Sequence, residues 1–96
     1  MPISSQMEER IATSQAHLKQ DREELNLISN TAWDNAAELI RRFELIDGGS
    51  QTGENIGHLE TAESILTQLR EKCREMRRMQ RQIDRRAEEH TRGVFR

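Results

Sequence analysis

The chain has 96 residues, of which 33% are charged and 33% hydrophobic, and its formal net charge is −2. The aromatic residues are Trp33, Phe43 and Phe95, too few bulky side chains to predict a compact core around one centre. A single cysteine, Cys73, excludes an internal disulfide and a cysteine-based zinc site. No run of about 18 apolar residues occurs, so the sequence predicts no membrane-spanning segment.

The expected location follows from the same features. The first residues, Met-Pro-Ile-Ser-Ser-Gln, are too polar for a secretory signal. A lone thiol is compatible with a reducing compartment. We therefore expect a cytoplasmic protein, and peripheral contact with a membrane, made through a complex, stays open.

The first predicted helix spans about residues 5–46, because apolar residues recur there at steps of 3, 4 and 7. Its start is predicted at Ser5, where Ser5 and Glu8 have the spacing of a capping box. Ser14 and Asp21 interrupt the apolar row and predict weak packing in the first half. The poor helix formers at 29–31 leave a kink or break near residue 30 open, with a continuous helix favoured because the row continues. The row is Met7, Ile11, Leu18, Leu25, Ile28, Ala32, Ala36, Leu39, Phe43 and Ile46.

Three large apolar residues of this helix, Leu27, Trp33 and Ile40, fall outside that row. A contact between only two helices would leave them uncovered. They therefore indicate contact with a further helix, from a partner or from a second copy.

Residues 47–56 are predicted to form a glycine-rich loop. Four glycines lie within the ten residues from Gly48 to Gly57, which makes regular structure costly there. Gly48 is predicted to end the first helix in a left-handed conformation, and Thr52 or Asn55 to cap the second helix.

The second predicted helix spans about residues 57–91 and has a heptad pattern over four heptads, which is typical of a coiled coil. The fold class is therefore all-α: one unit over residues 1–96, either a helical hairpin or part of a multi-helix bundle. The heptad row is Leu59, Ala62, Leu66, Leu69, Cys73, Met76, Gln80, Ile83, Ala87 and His90. The residues predicted to contact partner helices are Leu59, Leu66, Leu69, Cys73, Met76, Gln80 and Ile83, together with Leu25, Ile28, Leu39 and Phe43.

Charge is unevenly distributed. Residues 1–69 contain 12 acids and 5 bases, a net charge of −7, whereas residues 70–96 contain 5 acids and 10 bases, a net charge of +5. Six arginines of the second predicted helix form a row, called the basic row, and an anionic neighbour should compensate its charge. That neighbour is acids of the first helix, an acidic partner helix, or phosphate of nucleic acid or lipid. Nucleic acid is disfavoured because no aromatic residue interleaves the arginines. The basic row is Arg70, Arg74, Arg77, Arg78, Arg81 and Arg85.

Catalytic chemistry is not indicated. His17, His58 and His90 have no metal-ligand spacing among themselves or with Cys73. No nucleophile–base–acid arrangement is visible, and two long helices provide no obvious enclosed pocket. We therefore expect a non-enzymatic protein without metal or cofactor.

The run from Ile65 to Met76, continued by Gln80 and Ile83, resembles the SNARE motif of Golgi-type Qb SNAREs, which have a similar Ile-Leu-x-x-Leu-Arg stretch followed by a basic segment. The resemblance implies a parallel four-helix bundle and a role in vesicle fusion. Its implied layers are Ile65, Leu69, Met76, Met79 and Ile83.

The sequence thus favours a non-catalytic coiled-coil interaction protein, a small adaptor or subunit of a trafficking, tethering or cytoskeletal complex. One alternative is a SNARE-like component of a fusion bundle. A second alternative is a basic helix that binds anionic lipid or nucleic acid.

Overall fold

The computed structural model describes residues 3–49 and 53–94, with side chains for 5–49 and 53–93. Two helices, α1 (Ile3–Glu44, 42 residues) and α2 (Glu54–Val94, 41 residues), form a helical hairpin, and the described residues contain no strand. The predicted all-α fold of two long helices is confirmed.

Each helix contributes to two compact units. The loop-end unit is Ile28–Glu75, and the terminal unit combines the residues up to Leu27 with those from Met76 onward.

The ends of α1 differ from the sequence prediction. The helix already includes Ile3, so Ser5 lies inside it rather than capping it. It continues without a break through residues 29–31, whose low helix propensity is overridden by neighbouring packed residues. It ends where the amide of Leu45 bonds to the carbonyls of Arg41 and Arg42, both at 3.2 Å.

The connection to α2 is closed by side chains rather than by a left-handed glycine. No described glycine has a positive φ, so the prediction for Gly48 is wrong. The amide of Gly49 donates to Oδ1 of Asp47 at 2.9 Å, and the backbone of Asp47 bonds twice to the side-chain amide of Asn55, at 2.5 and 3.1 Å. Asn55 therefore ties the two helix ends together instead of capping α2, and Thr52 lies outside the described residues.

In the loop-end unit the interface between α1 and α2 is narrow. Its most buried side chains are Ala62, Ile65 and Ala32, with 2%, 7% and 9% of their surface exposed. Nη1 of Arg42 lies 3.4 Å from Nδ1 of His58, which fixes which residues of the two helices are opposite each other. Small residues at these positions let the helices approach closely, so the unit depends on a few contacts of high burial.

In the terminal unit the interface is partly polar. Leu18 and Ile83 are each 6% exposed, and Asp21 is buried beside them at 5%. Ile11, Met76 and Met79 are half-buried along the same line. The interface therefore combines an aliphatic core with a buried carboxylate that requires compensation.

Four positions of the heptad row predicted for α2 lie outside the interface with α1, and their contact with partner helices stays a prediction. Leu59, Leu66, Cys73 and Gln80 are exposed. The inward positions belong to the residues just before them: His58, Ile65, Lys72 and Met79. The same offset occurs in α1, where Phe43 is exposed and Arg42 half-buried.

The other predicted residues lie at or near the interface. Leu69, Met76, Leu25, Ile28 and Leu39 are half-buried, and Ile83 is buried. Whether any of them also contacts a partner helix stays a prediction.

Candidate interaction surface

Exposed apolar side chains of both helices form a strip in the loop-end unit. Its large members are Trp33, Ile40, Phe43, Leu59 and Leu66, with 72%, 58%, 50%, 44% and 47% of their surface exposed. Half-buried Ala36 and exposed Cys73 complete the strip. Side chains of this size exposed next to one another are typical of an interaction site.

The two halves of the strip lie on the same side of the hairpin. A helix turns by about 100° per residue, so Trp33, Ala36 and Ile40 lie about 100° around α1 from the side that faces α2. Leu59 and Leu66 lie about 80° around α2 from the side that faces α1, in the same rotational sense along the chain. Because the helices are antiparallel, equal senses of rotation bring both rows to one side.

The hydrogen bonds of the turn give the longitudinal register of the strip. Asp47 lies opposite Asn55, and Arg42 opposite His58. This register places Phe43 level with Leu59, at the turn end of the strip. The strip is therefore a continuous two-helix surface and not a set of scattered apolar residues.

The terminal unit, taken by itself, does not repeat this pattern. Heptad steps from Trp33 toward the N-terminus reach Asn26 and Lys19, and the heptad step from Cys73 reaches Gln80. Gln80 is exposed and donates to Oδ1 of Asp84 at 2.9 Å. Gln80 therefore lies outside the interface with α1, and its contact with a partner helix stays a prediction.

The three residues predicted to make an extra contact separate into two groups. Trp33 and Ile40 belong to the strip, whereas Leu27, 67% exposed, belongs to the terminal unit. Contact of Trp33 and Ile40 with a further helix stays a prediction that their exposure permits.

The arginines of the predicted basic row are all exposed. Arg74 is 3.8 Å from Glu71 of its own helix, a weak surface ion pair. Arg70 and Arg74 belong to the loop-end unit, and Arg77, Arg78, Arg81 and Arg85 belong to the terminal unit.

A second ionic cluster lies on α1. Nη2 of Arg41 donates to Glu38 at 2.8 Å, and Nε of Arg42 donates to it at 3.0 Å. These hydrogen bonds, that of Arg41 first, hold the pKa of the Glu38 carboxyl below its usual value, and Glu38 in turn raises the pKa of Arg41. The charged cluster therefore persists at a lower pH than a free glutamate would allow.

The terminal unit contains a buried ionic cluster that is not among the sequence predictions. Oδ2 of Asp21 lies 2.8 Å from Nε of Arg86, and Nε2 of Gln82 donates to Oδ1 at 3.1 Å. The contact between Arg86 and Oδ2 of Asp21 is an ion pair, but its geometry is not that of a hydrogen bond. The attraction between the two groups is therefore mainly coulombic. The signal was present in the sequence, since an acid at an inward position of α1 requires a cation at an inward position of α2.

Ser14 and His90 form the arrangement closest to catalytic chemistry. Nδ1 of His90 lies 2.9 Å from Oγ of Ser14, beside a groove of about 580 Å³ lined by Ser14, His17, Arg86 and Glu89 among others. Both residues lie inside regular helices, where backbone amides bond to the preceding turn and cannot stabilise an oxyanion. The pair therefore fits a polar contact between helices better than a nucleophile and its base.

Comparison with known proteins gives no assignment: no family model, no curated protein and no solved structure matches the chain. Within residues 3–49 and 53–94, no helix is both long and apolar enough to cross a membrane. The same residues include no group of three or more His, Cys, Asp or Glu side chains arranged to hold a metal ion.

Proposed function

We propose that this chain is a non-catalytic helical assembly protein, a small adaptor or subunit that packs the apolar strip of its loop-end unit against further helices. The observation on which this proposal depends is the strip itself, with Trp33, Ile40 and Leu66 exposed on one side of the hairpin. In the loop-end unit each helix thus has two adjacent apolar sides, and only one of them is covered. Helices with two such sides are typical of three- and four-helix bundles.

The composition supports the same class of protein. Leucine, isoleucine and alanine at heptad spacing suit packing between helices, and the strip lacks the polar groups that orient a small substrate. A trafficking, tethering or cytoskeletal complex in the cytoplasm is the setting that the sequence favours, with any membrane contact made through the complex.

The proposal is tested by affinity purification and quantitative mass spectrometry of the full chain and two variants. The strip variant is Ile40→Gln with Leu66→Gln, and the matched control is Leu27→Gln, an exposed apolar position of the terminal unit. Burying one such side chain contributes about 1.5–3 kcal/mol, so we expect the strip variant to lose associated chains, a second copy included, at least tenfold while the control keeps them. Circular dichroism should show unchanged helix content, because both substituted residues are already about half exposed. Equal recovery by all three proteins would contradict the proposal.

A SNARE-like fusion component is the second candidate. The observation in its favour is that the implied layer residues, Ile65, Leu69, Met76, Met79 and Ile83, are all buried or half-buried. In the hairpin they face α1, so entry into a SNARE bundle would require α1 to leave. A heat-resistant four-chain complex with purified SNARE helices would support this candidate over the first.

A further inference from the structure

We propose that the occupant of the apolar strip is a second copy of this chain, packed strip to strip about a two-fold axis perpendicular to the helices, so that two loop-end units form an antiparallel four-helix bundle. This inference rests on the proposed function, since it names the helices that the strip binds. The strip is complementary to itself under this rotation.

The row on α1 is nearly symmetric about position 38. Trp33 and Phe43 are each five residues from that position, and Ala36 and Ile40 are each two residues from it. In an antiparallel pair of α1 helices centred there, the two aromatic residues of opposite copies meet, and each Ile40 packs against the small Ala36 of the other copy. Alternation of large and small side chains across facing positions is the packing that lets helices interlock.

The row on α2 has the same symmetry. Leu59 and Cys73 are each seven residues from Leu66, so Leu66 lies on the axis and faces its own copy. The two pairs that set the register, Asp47 with Asn55 and Arg42 with His58, place position 38 of α1 about two to four residues, or roughly 3–6 Å, from the level of Leu66. A single two-fold axis can therefore pass close to the centres of both rows.

Charges beside the strip are complementary under the same rotation. Glu63 and Arg70 flank Leu66 on the outer edge of α2, and both side chains are exposed. They are one heptad apart with a midpoint next to Leu66, so the axis brings Glu63 of each copy to Arg70 of the other. If the two hairpins instead packed with their turns at the same end, Glu63 and Arg70 would each lie against α1 of the other copy.

The size of the contact fits this occupant. Covering the exposed parts of the five large strip residues in both copies removes on the order of 1,000 Å² from water, close to the lower limit of specific interfaces. An isologous contact of this kind closes on itself and leaves no second strip to extend the assembly.

Sedimentation of the full chain from about 1 to 100 µM should show a monomer–dimer equilibrium, a concentration range in which contacts of this size associate. The Ile40→Gln, Leu66→Gln variant should dissociate at least 100-fold more readily, and Leu27→Gln should behave as the native chain. A monomer throughout this range would overturn the proposal.

Cross-linking tests the axis. In a Cys73→Ser background, Leu66→Cys should form a disulfide-linked dimer on mild oxidation, because facing residues on the axis approach within disulfide range. The matched control, Leu27→Cys in the same background, should stay monomeric under the same conditions. A dimer by sedimentation without a disulfide at position 66 would overturn the two-fold arrangement.

Charge reversal separates the two possible directions of packing. Glu63→Arg alone should weaken the dimer about tenfold, since two symmetric ion pairs become repulsive. Adding Arg70→Glu should restore it if the axis is perpendicular to the helices. A further loss of affinity would place both residues against α1 of the other copy and contradict the proposed axis.

These outcomes also distinguish this inference from the proposed function. If the chain stays monomeric but loses partner proteins when Ile40 and Leu66 are replaced, the strip binds other helices and only the second copy is excluded. If neither self-association nor partner recovery depends on the strip, both proposals fail.

Discussion

Ile65→Ala should lower the free energy of unfolding by about 2–4 kcal/mol, whereas Leu66→Ala should lower it by about 1 kcal/mol or less. The two residues are neighbours in α2, but Ile65 is 7% exposed and Leu66 is 47% exposed. Truncating a buried isoleucine leaves a cavity between the two helices. The other buried side chains of this interface are small, so they cannot fill the cavity. Urea denaturation followed by far-UV circular dichroism, at a concentration that keeps the chain monomeric, measures both losses.

The comparison also tests which side of α2 faces α1. Both substitutions remove apolar atoms from one helix and have similar effects on helix propensity, so each serves as the control for the other. Equal losses, or a larger loss for Leu66→Ala, would restore the heptad row that the sequence suggested and contradict the structure. At high concentration Leu66→Ala should instead weaken association, which separates the two roles.

Arg86→Ala should lower the free energy of unfolding by about 2–3 kcal/mol, because it leaves the carboxylate of Asp21 buried with only Gln82 as a partner. The lower part of this range is expected, since the side chain of Arg86 is 35% exposed and water can partly replace it. Chemical denaturation at neutral pH measures the loss.

The double variant Asp21→Leu, Arg86→Leu provides the control. Replacing a buried ion pair by apolar residues is often neutral or stabilising, so this protein should be at least as stable as the native chain. If the double variant were as unstable as Arg86→Ala, the loss would come from the missing arginine stem and not from the uncompensated charge.

The helices themselves could be predicted because periodicity over more than 30 residues is a strong signal. The side of α2 that faces α1 could not be predicted, because the sequence is compatible with two heptad rows. The two rows share Leu69, Met76 and Ile83. The row with Leu59 and Leu66 is the more apolar one, so the sequence pattern favours it. The structure uses the row with Ile65 and leaves the leucines exposed.

The competing row looks polar in sequence because it includes Lys72 and Arg86. Both are long side chains whose stems can cover an interface while the charged end reaches an acid, Glu75 at 3.1 Å and Asp21 at 2.8 Å respectively. A hydrophobicity count treats such residues as outward-facing. A search for a cation opposite Asp21 would have found the correct side.

The hydrogen bonding of the turn differs from the sequence prediction for a local reason. The sequence predicts the end of α1 at Gly48, because glycine commonly ends helices in a left-handed conformation. The helix ends at Glu44, before any glycine, and the side chain of Asn55 satisfies the backbone of Asp47 across the turn. Such a side-chain bond between residues eight apart has no periodic signal in sequence.

The exposed position of Trp33 has a practical consequence. It is the single tryptophan of the chain, and it lies in the apolar strip with 72% of its surface exposed. Indole fluorescence shifts to shorter wavelength when the ring leaves water, so the unlabelled native protein contains one intrinsic optical probe at that site. A blue shift on raising the concentration, or on adding a binding protein, would show in real time that the ring is being covered. An unchanged emission maximum would mean that the indole remains exposed to water.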